Sequence, residues 1–368
     1  MDRFALRRDK LRQQLKSREL AAMLVTNFTN VTYLTGFSGD DSYLLVHPKG
    51  DVIISDPRYE TQISEECPGL EAYIRPTSIA ITSALDKVVA ASDIQEKVLA
   101  VEADSMTLSV RDKVSEKLSK WEVRGVSGLV EALRTIKDKY EIDSIRKAIK
   151  SAKRAFELLR SGLTPNQTEI ELCNDLEYFM RKFGAEDKGF NTIVGVGERA
   201  ALPHAVPTAK KVCESELMLV DWGAKCDGYV SDLTRTLVTT PKPTQRFRKA
   251  YETVLTAQKK AIEAIKPGIA ASEIDSIARK SIESAGMGRN FTHNLGHGLG
   301  LEVHESGRFS QSSDLILKPG MIMTVEPGVY FSGWGGIRIE DDVLVTKTGC
   351  EVLSSDVSKE FDDMFVQF

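Results

Sequence analysis

The sequence is short of several things, and each shortage excludes a class of protein. Its longest uninterrupted apolar run, residues 20–25, falls far below the roughly 18 residues a membrane-spanning helix needs, so no membrane span is expected. Cysteine is scarce: Cys67, Cys173, Cys213, Cys226 and Cys350 are odd in number and scattered, which gives neither a disulfide framework nor a CxxC metal site. The first ten residues include Asp2 and Asp9 and no apolar centre, so no export leader is expected and a reducing cytoplasm is the default. No excess of positive charge exists either. Lys plus Arg (49) almost balances Asp plus Glu (53), and a net charge of −4 disfavours a nucleic-acid binder. Histidine is as scarce as cysteine, with five in the whole chain.

What is present fits a folded protein of two domains. A hydrophobic share of 42% with 28% charged residues rules out wholesale disorder. The 368 residues exceed the roughly 250–300 at which one core stops growing. Strand-like runs at 21–25, 31–35, 42–46 and 51–55 are broken by Asn, Gly and Pro. Helical periodicity follows at 59–67, 79–90 and 110–118, with a strand at 97–102, so an α/β domain is expected over residues 1–126. A charged amphipathic stretch at 130–160 predicts a long helix in a connecting region, 127–160. The helix restarts at Thr164-Pro165, with proline in its first turn. Residues 161–368 form the second domain. Within it Gly162, Glu169-Ile170 and Gly184 are echoed by Gly268, Glu273-Ile274 and Gly286, which predicts two related halves of helices followed by hairpins.

Three patterns mislead. Gly195-Val196-Gly197 imitates a dinucleotide fingerprint, yet Pro203 and Pro207 forbid the helix that fingerprint needs. No phosphate-binding loop and no GxSxG elbow occurs. His293 and His297 have the spacing of a zinc helix, but Asn294 replaces its glutamate and the surrounding glycines argue against helix.

The chemistry gathers in the second domain. Four histidines lie there, His204, His293, His297 and His304, whereas His47, beside Pro48, reads as a surface residue. Two β runs flank Asp227-Gly228, the strongest short hairpin signal. Asp221 and Asp232 on these runs are spaced so that they can lie opposite each other across the hairpin. Asp221 ends an apolar run, Glu326 ends another, and Glu340 shares a strand face with Arg338 between isoleucines. Like charges at the ends of apolar strands are costly unless a cation lies between them. Four such carboxylates with one imidazole make an oxygen-rich set that suits Mn²⁺ or Co²⁺ and has charge enough for two divalent ions. Such a pair activates water and stabilises the oxyanion of an attacked carbonyl, the chemistry of peptide hydrolysis.

At these residues the chain resembles the creatinase/prolidase/methionine aminopeptidase superfamily, and within it the Xaa-Pro aminopeptidases and Xaa-Pro dipeptidases. Asp221-x-Gly-Ala with Ser231-Asp232-x-Thr234-Arg235-Thr236 is similar to its aspartate hairpin, and Gly296-His297-Gly298 through His304-Glu305 to its histidine loop. Thr324-Val325-Glu326-Pro327-Gly328 and Gly336-Ile337-Arg338-Ile339-Glu340 resemble its glutamate segments. Asn30 through Phe37 and Asp56-x-Arg58-Tyr59 are similar to the creatinase-type N-terminal domain.

The resemblance implies an α+β protein: a C-terminal pita-bread domain behind an N-terminal α/β creatinase-like domain. It implies five ligands, Asp221, Asp232, His297, Glu326 and Glu340, with Asp232 and Glu340 bridging two divalent ions, Mn²⁺ before Co²⁺ or Zn²⁺. His204 and His304 would meet the substrate and the developing oxyanion, and His293 would line the prolyl pocket. Glu326 would also serve as general base, and Arg338 would orient the bridging carboxylates or form a plain salt bridge. Trp334, Phe309 and Tyr330 are candidate walls for a proline ring, or ordinary core aromatics.

All five ligand positions match, which argues against the metal-free creatinase and against a binding module that keeps the fold without turnover. The expected activity is that of an Xaa-Pro aminopeptidase, with Xaa-Pro dipeptidase as the alternative, because no carboxylate-reading arginine is evident. The expected partners are short peptides with proline second and a second copy of the chain, with no nucleic acid and no membrane.

Overall fold

Residues 2–368 are described by a computed structural model, which divides after Arg134 into two units. The first runs α1 (Arg3–Ser17), β1 (Ala22–Val25), α2 (Phe28–Thr35), β2 (Tyr43–His47), β3 (Gly50–Ser55), α3 (Glu60–Glu66), β4 (Glu71–Ile74), α4 (Ile81–Ala91), β5 (Val98–Glu102), α5 (Leu108–Lys117), β6 (Glu122–Val126) and α6 (Leu129–Arg134). Its six strands form one sheet in the order β4-β3-β2-β1-β5-β6. Strand β2 is antiparallel to both its neighbours, while the remaining pairs are parallel. Leu24, Leu45, Ile54 and Leu99 of the sheet pack against Leu85 and Val88 of α4 and Val114 of α5.

Two expectations fail in this unit. Residues 31–35 look like a strand because Val31, Thr32 and Tyr33 favour one, yet they belong to helix α2. The Asn27 side chain caps its start and Gly36, at φ 86°, closes its end. The burial of Val31, Leu34 and Thr35 on one face suits the helical period and overrides the local preference. His47 is no surface residue: it ends β2 and is buried.

The second unit runs α7 (Lys139–Ser161), α8 (Glu169–Lys182), β7 (Asp187–Lys188), β8 (Ile193–Val196), β9 (Leu217–Trp222), β10 (Ala224–Cys226), β11 (Tyr229–Val230), β12 (Leu233–Val238), α9 (Gln245–Ala264) and α10 (Ala271–Ser284). It continues β13 (Gly296–Gly298), β14 (Glu305–Phe309), β15 (Ile322–Val325), β16 (Gly328–Phe331), β17 (Gly335–Arg338), β18 (Asp341–Val345) and β19 (Cys350–Val352). The long helix read over 130–160 is two helices, because Asp138 and Glu141 form a capping box that restarts the chain as α7. Likewise the next helix begins after Thr168, not at Pro165, since Thr168 and Glu171 form a second capping box.

Each helix pair, α7 with α8 and α9 with α10, precedes a set of antiparallel strands. The first pair leads to β12-β9-β8 and the second to β14-β13-β15-β18-β19. Gly184 and Gly286 both end their helices at positive φ, as the internal echo requires. A bridge between Thr234 and Glu340 joins strands of the two halves. No helix among the described residues is long and apolar enough to cross a membrane.

Asp227 and Gly228, at φ 50° and 81°, make the two-residue turn between Cys226 and Tyr229. The register it sets corrects one expectation: Asp221 faces Thr234, two residues beyond Asp232, so the two aspartates are diagonal neighbours on one face instead of direct partners. The hairpin is tight here, for a Cβ on Gly223 would lie 1.9 Å from the Ser231 carbonyl oxygen.

Behind the hairpin Trp222 is fully buried, stacks on Phe156 of α7 with ring centroids 4.1 Å apart, and donates to the Ala152 carbonyl. Phe156→Ala should therefore cost about 3–5 kcal/mol of folding stability. Urea unfolding measures it, and a loss below about 1 kcal/mol would show that this stack does not hold α7 to the hairpin.

Candidate functional site

Strand ends deliver the five expected ligands to one cavity. Asp221 lies near the end of β9, Asp232 just before β12, His297 in β13, Glu326 just after β15, and Glu340 between β17 and β18. Asp232, His297 and Glu340 each offer an atom within 4.8 Å of the others. His297 Nε2 is 3.3 Å from Glu326 and 3.6 Å from Asp232.

Burial makes this grouping expensive. It raises the pKa of Asp232 and Glu340 well above the usual carboxylate range, and repulsion from the neighbouring carboxylates adds to it. Glu326 is pushed up to about 8, chiefly by burial. Burial lowers His297 to about 4, which leaves its imidazole neutral and able to ligate. One oxygen of Asp221 is buried without a hydrogen-bond partner. Four crowded carboxylates, an orphaned oxygen and a neutral imidazole fit divalent cations held by Asp221, Asp232, His297, Glu326 and Glu340.

Arg338 does more than neutralise charge. Its Nη2 donates to Asp221 at 2.6 Å, its Nε to Thr234 Oγ1 at 3.0 Å and its Nη1 to the Tyr330 hydroxyl at 2.8 Å. Thr234 Oγ1 in turn donates to Glu340 at 2.5 Å, so Arg338 aligns Asp221 directly and Glu340 through one hydroxyl. Asp342, completely buried, accepts from the backbone N–H of Asp232 at 3.1 Å.

His204, His293 and His304 all line the same cavity. The His304 ring meets that of His297 edge-on at 4.3 Å. Burial lowers the pKa of His304, and the nearby Arg308 lowers it further. His293 Nε2 lies 2.9 Å from the Tyr330 hydroxyl, and burial lowers its pKa to about 4.

The aromatic walls differ from those expected. Trp334 packs on Phe247 and Phe331 and donates to Glu216, Phe309 is fully buried in the core, and Tyr330 supports His293 from behind. The apolar lining comes instead from Phe190, Leu202, Val206 and Val303. Sequence reasoning also missed Arg308, which pairs with His297 across β13 and β14 and lines the cavity with no ion pair or hydrogen bond among the described residues. Strand pairing was the signal that could have found it. Cys226 is buried in β10 against Ser151 and the Gly184 carbonyl, and burial raises its pKa.

Comparison with known proteins matches this geometry. The profile of metallopeptidase family M24 matches residues 143–347, and that of the creatinase/prolidase N-terminal domain matches residues 7–136. An Xaa-Pro dipeptidase of Pyrococcus furiosus is 42% identical over 250 residues, 68% of this chain and 72% of its own. The structure of an Xaa-Pro dipeptidase from Bacillus anthracis superposes with TM-score 0.91 at 37% identity, covering 96% of this chain and 98% of that one. An X-Pro aminopeptidase from Thermotoga maritima superposes with TM-score 0.87 at 34% identity, covering 95% and 97%.

Two outcomes follow from the charge arrangement. Asp232→Asn should weaken divalent-ion binding in calorimetry by more than the roughly 100-fold seen for outer-sphere losses, with the circular dichroism of the fold retained; wild-type affinity would remove Asp232 from the ligand set. Glu326, with an ordinary pKa of 4.5, is held near 8 in the metal-free fold, so its protonated form stabilises that fold below pH 4.5. This contribution is lost as pH rises through 8. The melting temperature of chelator-treated protein should accordingly fall between pH 5 and pH 8, and added Mn²⁺ should reverse the fall; a rise across that window would contradict the assignment.

Proposed function

Since the chain belongs to metallopeptidase family M24 and carries a creatinase/prolidase N-terminal domain, it is a metallopeptidase, and we propose that it cleaves Xaa-Pro dipeptides as a prolidase. The observation that carries this reading is Arg308. A dipeptide ends in a carboxylate on its proline, where a longer peptide has an amide. An arginine that lines the cavity with no ion pair or hydrogen bond among the described residues, on the strand beside His297, suits that carboxylate. This moves the reading from the aminopeptidase expected from sequence to its alternative. The sequences and structures of named Xaa-Pro dipeptidases support the same choice. Likeness to the Thermotoga maritima aminopeptidase favours a second reading, removal of the first residue from longer Xaa-Pro peptides.

Two divalent ions held by Asp221, Asp232, His297, Glu326 and Glu340, which we take to be Mn²⁺ before Co²⁺ or Zn²⁺, would supply an activated water and charge stabilisation at the carbonyl. Asp232 and Glu340 are proposed as the shared ligands. The rest of the reaction falls to the chain's own groups. Glu326 accepts the proton of the attacking water. His204 and His304 stand at the cavity wall to bind substrate and donate to the oxyanion, a role that suits a neutral imidazole in His304. His293, fixed by Tyr330, would close the side where the proline ring lies, and Phe190 and Val303 are among the apolar residues that line the cavity. An imide nitrogen carries no N–H, so an apolar wall leaves no donor unsatisfied. We take the enzyme to act as a homodimer in a reducing cytoplasm, a setting that agrees with five free cysteines.

The deciding assay compares an Xaa-Pro dipeptide with an Xaa-Pro-Yaa tripeptide in Mn²⁺, with and without a chelator. Chelator-sensitive cleavage of the dipeptide is expected; cleavage of the tripeptide alone would establish the second reading. Arg308→Ala should raise KM for the dipeptide about 10–100-fold, the effect of losing a hydrogen bond to a charged group. The same variant should barely change KM for the dipeptide amide, and an equal effect on both would remove Arg308 as the carboxylate reader. His304→Ala should lower kcat on the order of 100-fold with metal content intact, and loss of metal instead would make it a ligand.

A further inference from the structure

His204 reaches the cavity from an irregular segment. After β8 a short 3₁₀ turn spans Gly197–Ala201, and the chain then passes Pro203 and Pro207 without a strand or helix. His204 is exposed and makes no hydrogen bond of its own among the described residues. Its position therefore depends on how the surrounding backbone is tied down.

Both ends of that segment are tied to one carboxylate. Glu169 opens α8 and its side chain is fully buried. Its Oε1 accepts from the Val196 N–H at 2.8 Å and from Arg199 Nε at 3.1 Å. Its Oε2 accepts from the Thr208 N–H at 2.8 Å, from Thr208 Oγ1 at 2.7 Å and from Arg199 Nε at 2.8 Å. Arg199 extends the clasp by donating Nη2 to the Val206 carbonyl. On the cavity side only one further tie is seen, from Arg338 Nη2 to the Pro203 carbonyl at 3.5 Å. Residues 196, 199 and 208 thus converge on Glu169, and residue 206 is held through Arg199, with His204 between these ties.

We propose that Glu169 is a positioning residue for His204: the buried Glu169–Arg199 clasp fixes the segment from Val196 to Thr208 and thereby holds the imidazole at the substrate. This rests on the reading of His204 as a substrate-binding group given above. Charge-assisted bonds of this kind are shorter and stronger than neutral ones. The carboxylate meets only donors here, and an amide in its place would turn an NH₂ group against one of them.

The test uses the Mn²⁺-loaded full chain. Glu169→Gln should lower kcat/KM for an Xaa-Pro dipeptide on the order of 10-fold, as expected for a misplaced group, while metal content and the chelator titration stay at wild type. Trypsin should cut sooner after Arg199 and Lys210. In a His204→Ala background the same change should cost less than about twofold, because the group it positions is gone. Thr208→Val, which removes one donor and keeps the shape, should show the same pattern more weakly and serves if Glu169→Gln does not fold. A Glu169→Gln loss that multiplies undiminished with His204→Ala, or unchanged activity and proteolysis, would overturn the inference while leaving the peptidase reading intact. A fully active His204→Ala would instead overturn the role of His204 and this inference with it.

Discussion

The mutual repulsion of four carboxylates, held where water cannot screen them, is the constraint around which the second unit is organised. Asp221, Asp232 and Glu340 are buried and Glu326 is half-buried, each in or beside a strand whose residues are themselves mostly buried. Charge brought together this way is tolerated if protons or cations compensate it. The surrounding groups limit which solution works. Arg338 takes one oxygen of Asp221 and leaves the other without a hydrogen-bond partner among the described residues, and Thr234 ties one oxygen of Glu340. These groups restrict orientation without cancelling the charge, and the site keeps its appetite for a divalent ion.

The two halves of the unit share this burden. The first contributes Asp221 and Asp232 from one hairpin; the second contributes His297, Glu326 and Glu340 from a neighbouring sheet. The Thr234–Glu340 bridge lies at the meeting line, and fully buried Arg235 beside it donates to the Glu340 carbonyl and to Asp341. A cation held here would complete contacts between halves that each lack the full set, and would couple metal binding to the stability of the whole unit. The cavity histidines have different surroundings: His293 meets the Tyr330 hydroxyl, and the segment that carries His204 is tied to Glu169 of α8.

Much of this was legible in the residues, and the limits have physical causes. The clustering of these carboxylates with His297 could be read because carboxylates at the ends of apolar runs need an explanation, and the hairpin because Asp227-Gly228 takes a positive-φ turn. The register was misjudged by two residues, since loop length fixes parity but the turn position fixes the partner. Helix α2 was mistaken for a strand because β-branched residues outweighed the period of its burial. Arg308 and Phe190 lie in segments without strong patterning, and they join the site through strand pairing and cavity shape, which a linear sequence does not display. The aromatics considered for the cavity were apolar walls for a proline ring or core residues, and packing takes Phe309 into the core and Trp334 against Phe247.

The Asp227-Gly228 turn also works as a length gauge. Asp221 and Asp232 lie on one face of one ribbon, and side chains on a strand alternate faces with every residue. Lengthening one arm of the hairpin by a single residue would carry one aspartate to the opposite face, whereas symmetric extension by one residue on each arm would keep both on the same side and only lift the turn outward. The separation between Asp221 and Asp232 is thus held by parity as well as by chemistry.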